Sequence, residues 1–369
     1  MNRRDFLVRS ALAAAAVPIL AAAEDRKKGE AAPATSARHF EPLDDGRVHC
    51  TLCPKGCIVA DGERGYCRVR ENRKGQYFSL SYGRPCVLNP GDPIEKKPFF
   101  HVRPGTRAFS IATAGCNFAC RFCQNWDISQ ARPEDVPAAA HPPEEIARLA
   151  EASGSKTIAY TYSEPVVFHE YVVDCAKAGR ERGLKSVVVS NGFINEKPQR
   201  ELFDVVDAIK IDFKGFSESF YKDVCDGELG AVKESLRRVA KSGVWLEVVV
   251  LLIPTLNDAD DDLHRMSAWV VKELGPEVPL HFSRYQPQYK MKNIPPTPID
   301  TVRRARDIAV REGAHFVYLG NVPGDDGQQT ACPGCHGVVV RRRGYLLLEN
   351  RLRDGKCPDC GRAIPGRWS

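Results

Sequence analysis

Fourteen cysteines stand in a chain of 369 residues, and most of them are grouped. The tightest group is Cys116, Cys120 and Cys123, inside Gly115-Cys-Asn-Phe-Ala-Cys-Arg-Phe-Cys-Gln-Asn-Trp126. It offers three thiolates, with no fourth nearby in the sequence. A cubane iron–sulfur cluster has four irons, so three thiolates leave one iron open, as a catalytic zinc site keeps one position free. An open iron binds ligands through nitrogen and oxygen, which marks this as a site for chemistry.

A second group, Cys50, Cys53, Cys57 and Cys67, lies in Cys-Thr-Leu-Cys-Pro-Lys-Gly-Cys and Gly-Glu-Arg-Gly-Tyr-Cys-Arg. Four thiolates in a glycine-punctuated loop can enclose a metal. Zinc and an iron–sulfur cluster both accept this set, spacing does not separate them, and disulfides are the plain alternative. The third group is two knuckles, Cys332-Pro-Gly-Cys335 and Cys357-Pro-Asp-Cys360, 21 residues apart. That spacing reads as a zinc ribbon, with a rubredoxin-like iron site as the alternative. Between the knuckles, Val338–Val340 and Tyr345–Leu348 flank Arg-Arg-Arg-Gly and predict a hairpin. So small a module needs its metal to be stable. Of the remaining cysteines, Cys86 reads as a spare buried thiol and Cys175 as a core residue on a helical stripe, while Cys225 carries no signal.

The elements that must position these groups alternate strand and helix. Strands are expected at 108–113, 157–162, 186–190, 207–213, 245–253, 279–284 and 315–319. Helical stripes come between them, such as Leu263, Met266, Val270 and Leu274 ending at Gly275, and Val302, Ala305, Ile308 and Ala309 ending before Gly313. The fold class is α/β, a partial (β/α) TIM-like barrel flanked by small cysteine-rich metal modules. Barrel active sites lie at the C-terminal strand ends, and the cysteine triplet follows the first strand. After the second strand stands Tyr160-Thr-Tyr-Ser-Glu164-Pro165, and after the third Ser190-Asn191-Gly-Phe193. The fourth carries Lys210, Asp212 and Lys214 alternating with Ile209, Ile211 and Phe213. Like-facing charges inside a parallel sheet are costly unless they reach a polar site. Asn257, Asp258, His281, Arg284 and Tyr285, at the fifth and sixth strand ends, are candidates for the substrate mouth. A lone strand histidine such as His281 is more often packed.

The spacing Cys-x3-Cys-x2-Cys, with Phe122 before the last cysteine, resembles the radical S-adenosylmethionine (SAM) superfamily motif. Residues 47–365 more closely resemble the AmmeMemoRadiSam system radical SAM enzymes, relatives of the pyruvate formate-lyase activating enzymes. The carrying segments are Cys50–Cys57, Asp92-Pro-Ile-Glu-Lys-Lys-Pro98, Gly115–Asn125, Thr161–Pro165 and the terminal knuckles. The resemblance implies a 4Fe-4S cluster on Cys116, Cys120 and Cys123 whose open iron chelates the amino and carboxylate groups of SAM. Reductive cleavage to methionine and a 5′-deoxyadenosyl radical follows, with hydrogen abstraction from an unidentified substrate, a partner protein or a small molecule. It further implies a low-potential electron donor. Glu164 matches the acid of a Gly-Gly-Glu-like segment contacting the SAM amino group, although the two glycines are absent here. Ser190 and Asn191 are similar to the Thr-Asn-Gly segment of the activating enzymes, and Asp212 and Lys214 to their Asp-Leu-Lys. All five are thereby expected on the SAM side of the barrel. The rival reading, from a different class, is an electron-transfer or metal-carrier protein.

Residues 1–23 carry Arg3-Arg4, Phe6 and Leu7, then an Ala/Leu/Val stretch ending Ala21-Ala-Ala23, and resemble a twin-arginine export signal. Residues 24–46 read as a flexible linker, 47–104 as the N-terminal cysteine-rich module, 105–325 as the barrel and 326–369 as the ribbon. The leader points to the periplasm, whereas SAM, low-potential electrons and thiolate ligands favour the cytoplasm. Apolar residues at 43% and charged residues at 27% exclude wholesale disorder. The net charge of +6 is too diffuse to argue for nucleic acid. No apolar run beyond the leader approaches the ~18 residues of a membrane span.

Overall fold

The computed structural model describes residues 34–322, 324 and 327–369, so the leader 1–23 and residues 24–33 of the expected linker lie outside the described residues. One eight-stranded sheet dominates. Its strands are β1 (Val87–Pro93), β2 (Arg107–Ala112), β3 (Thr157–Tyr160), β4 (Lys185–Ser190), β5 (Ala208–Asp212), β6 (Trp245–Leu252), β7 (Leu280–Arg284) and β8 (Val317–Gly320). They lie in the order β8-β7-β6-β5-β4-β3-β2-β1. Strands β2 to β8 run parallel, each beside its predecessor, and β1 runs antiparallel along β2. Since β1 and β8 are both edges, the sheet is an open arc, a partial barrel as expected.

The helices are α1 (Pro143–Ala152), α2 (His169–Glu181), α3 (Glu196–Phe203), α4 (Leu229–Ser242), α5 (Asp260–Leu274) and α6 (Ile299–Arg311). Each buries one apolar stripe, Leu263, Met266 and Val270 on α5 and Val302, Ala305, Ile308 and Ala309 on α6. Beyond α5 and α6, Gly275 and Gly313 hold φ of 108° and 100°, left-handed backbone that glycine takes without a Cβ penalty.

Two expected boundaries move. Thr35–Ser36 pairs with Gln76–Ser79, Phe40–Pro42 pairs with Val48–Cys50, and Ala37 is buried. Residues 35–42 therefore belong to the N-terminal module rather than to a flexible linker reaching residue 46. Val87–Pro93, placed in that module by sequence, is the edge strand of the barrel. Pro90 and Gly91 interrupt its register between Asn89 and Asp92, which hides the alternating pattern a strand would show.

Both small modules are fastened by buried charge. Arg70 of the N-terminal module is fully buried and donates to Glu170 of α2 at 2.6 and 3.2 Å. In the C-terminal module, Val338–Arg343 and Leu346–Asn350 form the expected hairpin. Its Val339 and Val340 pack with Phe100, Phe316, Tyr318 and Ile364 beside β8. Buried Arg342 donates to the carbonyls of Phe100 and Gln328 and to the Thr330 hydroxyl. None of the fourteen cysteines is in a disulfide.

Candidate active site

The C-terminal ends of β2 to β5 open into a cavity of about 520 Å³. Cys116, Cys120 and Cys123 all line it, together with Glu164, Ser190, Asn191, Lys210, Asp212 and Lys214. Residues dispersed over a hundred positions of sequence converge because parallel strands deliver their following loops to the same rim.

Backbone contacts fix the loop holding the cysteine triplet. Gly115 has φ of 97°, and a Cβ there would lie 2.8 Å from the Cys67 carbonyl oxygen and 2.5 Å from Val69 Cγ1. The cluster loop is thus pressed against the N-terminal module at a point where only glycine fits. Further along, the Ala119 and Arg121 amides donate to the carbonyls of Cys225 and Val224. Asn125 Nδ2 donates to the Tyr162 carbonyl at 2.8 Å, holding that tyrosine at φ of 66°. Such backbone is strained for a bulky side chain and persists only where its surroundings demand it.

Glu164 is buried and ends the loop after β3. Its Oε1 accepts from Ser190 Oγ at 2.7 Å and from the Val166 amide at 3.1 Å, and its Oε2 from the Asn191 amide at 2.8 Å. Burial pushes this carboxyl up to about 7, against the pull of those donors and of Lys214. Asn191 Nδ2 donates to Asn117 Oδ1 at 2.8 Å and approaches Cys116 Sγ at 3.9 Å. On β5 and just beyond it, Asp212 is shared by Lys210 and Lys214, the latter at 2.9 Å. Although burial would raise the Asp212 carboxyl, the two ammonium groups hold it below the usual range.

One cysteine distant in sequence comes near the triplet without lining the cavity. Cys225, at the end of the helical turn Tyr221–Cys225, is buried with its thiol beside Cys120. That neighbour and then Lys214 lower the Cys120 thiol, despite burial. Nothing in local spacing reveals a partner about a hundred residues away. Burial pushes Cys116 well above its ordinary value. The chemistry of the donor set fits an iron–sulfur cluster: three thiols outside any disulfide border one cavity, and a cationic cluster would stabilise their thiolates.

The mouth residues divide. His281 lines the cavity, but its Nε2 pairs with Glu247 at 2.7 Å, and Glu247 also accepts from the amides of Phe100 and His101. His281 is the packed histidine. Asn257 accepts from the Ile253 amide and donates to the Lys214 and Leu251 carbonyls. Asp258 accepts from the Thr255 amide, Arg284 donates to the Thr297 carbonyl, and buried Tyr285 donates to the Met291 carbonyl. These four brace loops instead of facing the cavity, because each spends its polar atoms on nearby backbone.

Cys332, Cys335, Cys357 and Cys360 bring their sulfurs within 4.8 Å of one another, with Cys332–Cys360 at 3.5 Å and Cys335–Cys357 at 3.6 Å. A tetrahedral ion with bonds of ~2.3 Å spaces its sulfurs about 3.8 Å apart, so this set fits a metal. In the N-terminal group, Cys50, Cys53 and Cys67 are buried and Cys57 is half-buried. Burial and then the neighbouring Cys50 raise Cys53 to about 12, while burial raises Cys67 to about 12 against the Val69 amide. Among the described residues, no three of these four sulfurs come within 4.8 Å of one another as the knuckle sulfurs do.

Comparisons with known proteins agree with the geometry. The radical SAM superfamily profile matches residues 110–266. An uncharacterised protein of Methanocaldococcus jannaschii is 43% identical over 332 residues, 89% of this chain and 98% of that one. A second from the same organism is 26% identical over 73% of this chain and 77% of its own. The pyruvate formate-lyase 1-activating enzyme of Escherichia coli is 22% identical over 58% of this chain and 93% of its own. The chain belongs to the radical SAM superfamily and is an enzyme of that class.

Proposed function

We propose that this enzyme cleaves SAM reductively and directs the resulting radical at the substrate's C–H bond, as a member of the AmmeMemoRadiSam branch. The observation that carries this reading is the convergence of Cys116, Cys120 and Cys123 with Glu164, Ser190, Asn191, Asp212 and Lys214 on one cavity. When bound, the cluster would supply the electron that splits SAM into methionine and a 5′-deoxyadenosyl radical.

The protein's own groups then have separable tasks. Cys116, Cys120 and Cys123 would hold the cluster. Glu164, oriented by Ser190 and the Asn191 amide, presents a carboxylate to the SAM ammonium. Lys214, paired with Asp212, offers positive charge to the SAM carboxylate. Buried walls, including Phe118 and Phe122, keep water from a reactive species. The resemblance to activating enzymes supports a partner protein as substrate, and a small molecule is the rival. The tetrahedral sulfurs of the C-terminal knuckles support zinc there. The Arg3-Arg4 leader supports export of the loaded chain, while the need for reductant and SAM supports work in the cytoplasm.

The test is spectroscopic. Reconstituted anaerobically and reduced, the protein should show a 4Fe-4S electron paramagnetic resonance signal that changes when SAM is added. A signal indifferent to SAM would move the protein to the electron-transfer class.

A further inference from the structure

The cavity holds more positive charge than SAM can use. Four lysines line it, and each pair of them shares one aspartate. Asp212 takes Lys210 and Lys214. Asp92, at the end of β1, takes Lys97 and, at 2.8 Å, Lys96. One carboxylate for two ammonium groups leaves one formal positive charge in each triad. The other lining carboxylates do not cancel this surplus. Glu95 Oε1 accepts from the Gly105 amide and stands 3.9 Å from Arg342, and Glu164 is committed to the SAM ammonium on the reading above.

The lysines of both triads line the same cavity. They differ in what they serve. The Asp212 triad sits beside Cys120, where the SAM carboxylate is expected. The Asp92 triad, whose two lysines line the same cavity, has no such occupant. Lys97 is a costly residue to bury without a purpose, since its side chain is only 2% exposed while Lys96 already accompanies Asp92. Its ammonium is steered from two sides, by Asp92 and by the Tyr162 ring, 4.2 Å below it. Tyr162 in turn donates its hydroxyl to Asp92 and is held by Asn125 of the cluster loop. Tyr162 therefore ties Lys97 to the loop that carries the cysteine triplet.

We propose that Lys97 and Lys96, with Asp92 and Tyr162 positioning them, form an oxyanion subsite that holds a carboxylate or phosphate group of the substrate. This deepens the radical SAM reading and rests on it, because it gives the substrate an anionic handle inside the cavity that holds the cysteine triplet.

The experiment uses the reconstituted, SAM-saturated full chain and isothermal titration calorimetry, with inorganic phosphate and acetate titrated in turn. The proposal predicts that at least one of them binds, and the one that binds names the handle. Lys97→Met should raise its Kd about tenfold or more, Lys96→Met should raise it less, and Lys97→Arg should restore binding to within a few-fold. Lys96 is partly exposed, so its variant remains informative if Lys97→Met does not fold. Binding of neither anion, or a Kd unmoved by both methionine variants, overturns the subsite. Release of 5′-deoxyadenosine by the wild-type protein is measured on the same preparation, so a failure of the radical chemistry is seen separately from a failure of the anion site.

Discussion

Ser190 Oγ donates to Glu164 Oε1 at 2.7 Å, joining the ends of neighbouring parallel strands β4 and β3 beside the cluster cysteines. Their side chains meet because the parallel register brings Val188 level with Tyr160, so the loops that follow emerge side by side. The buried carboxylate is aimed before any ligand arrives, which lowers the ordering cost of binding.

This pair makes a graded prediction. Glu164→Gln removes the charge opposite the SAM ammonium. It should weaken SAM binding by about 10- to 100-fold, the value of a charge-assisted hydrogen bond of roughly 1.5–3 kcal/mol. Ser190→Ala removes one neutral donor and should weaken it only several-fold. Equilibrium dialysis with labelled SAM on cluster-loaded protein measures both.

Gly115 tests whether the N-terminal module sets the cluster loop. Ala at this position would clash with the Cys67 carbonyl and with Val69, and its backbone would remain at φ of 97°. The expected outcome for Gly115→Ala is a protein that incorporates less iron and sulfide at the Cys116–Cys123 loop. A full complement of both would show that the loop relaxes freely.

Glu247 gives a prediction in pH. Burial would raise its carboxyl, but His281 and His101 and the Phe100 amide hold it below the ordinary glutamate value. The folded chain therefore takes up a proton less readily than the unfolded one. The stabilisation is fully present above about pH 4.3 and is lost as pH falls below that. Glu247→Gln should cost about 2–4 kcal/mol near neutrality, because buried amide donors lose a charged acceptor. The gap between wild type and variant should hold at pH 7 and 5 and close as pH falls below about 4, as read by urea unfolding at pH 7 and 5 and at about pH 3.

Much of this architecture is legible in the chain because hydrophobic patterning is local. The seven parallel strands alternate with helices whose stripes and glycine caps are plain, and the glycines after α5 and α6 stand where the caps are. Lys210, Asp212 and Lys214 announce themselves as charges in a strand, and all three reach the cavity. Cys225 and Lys97 were not legible in this way. Each acquires its meaning from its approach to a distant segment, the first to Cys120 and the second to the Tyr162 ring. Edge strand β1 was hidden by its own proline and glycine. The mouth residues failed for the converse reason, since a polar side chain at a strand end can as readily brace its own loop.

Metal removal from the ribbon should be felt in the barrel. Val339, Val340 and Ile364 share one buried cluster with Phe316 and Tyr318 of the barrel segment. A strong chelator, or Cys357→Ala, should release one metal ion per ribbon and lower the thermal midpoint of the whole chain. A separate low-temperature transition with an unchanged main midpoint would show the ribbon to be an independent unit.

The central claim concerns the cysteine triplet and the SAM pocket around it. The most direct measurement is 5′-deoxyadenosine release from SAM by anaerobically reconstituted, dithionite-reduced protein, compared with Cys120→Ala. The account predicts product from the wild-type chain and none from the variant. A properly formed and reduced wild-type cluster that releases no 5′-deoxyadenosine would contradict it.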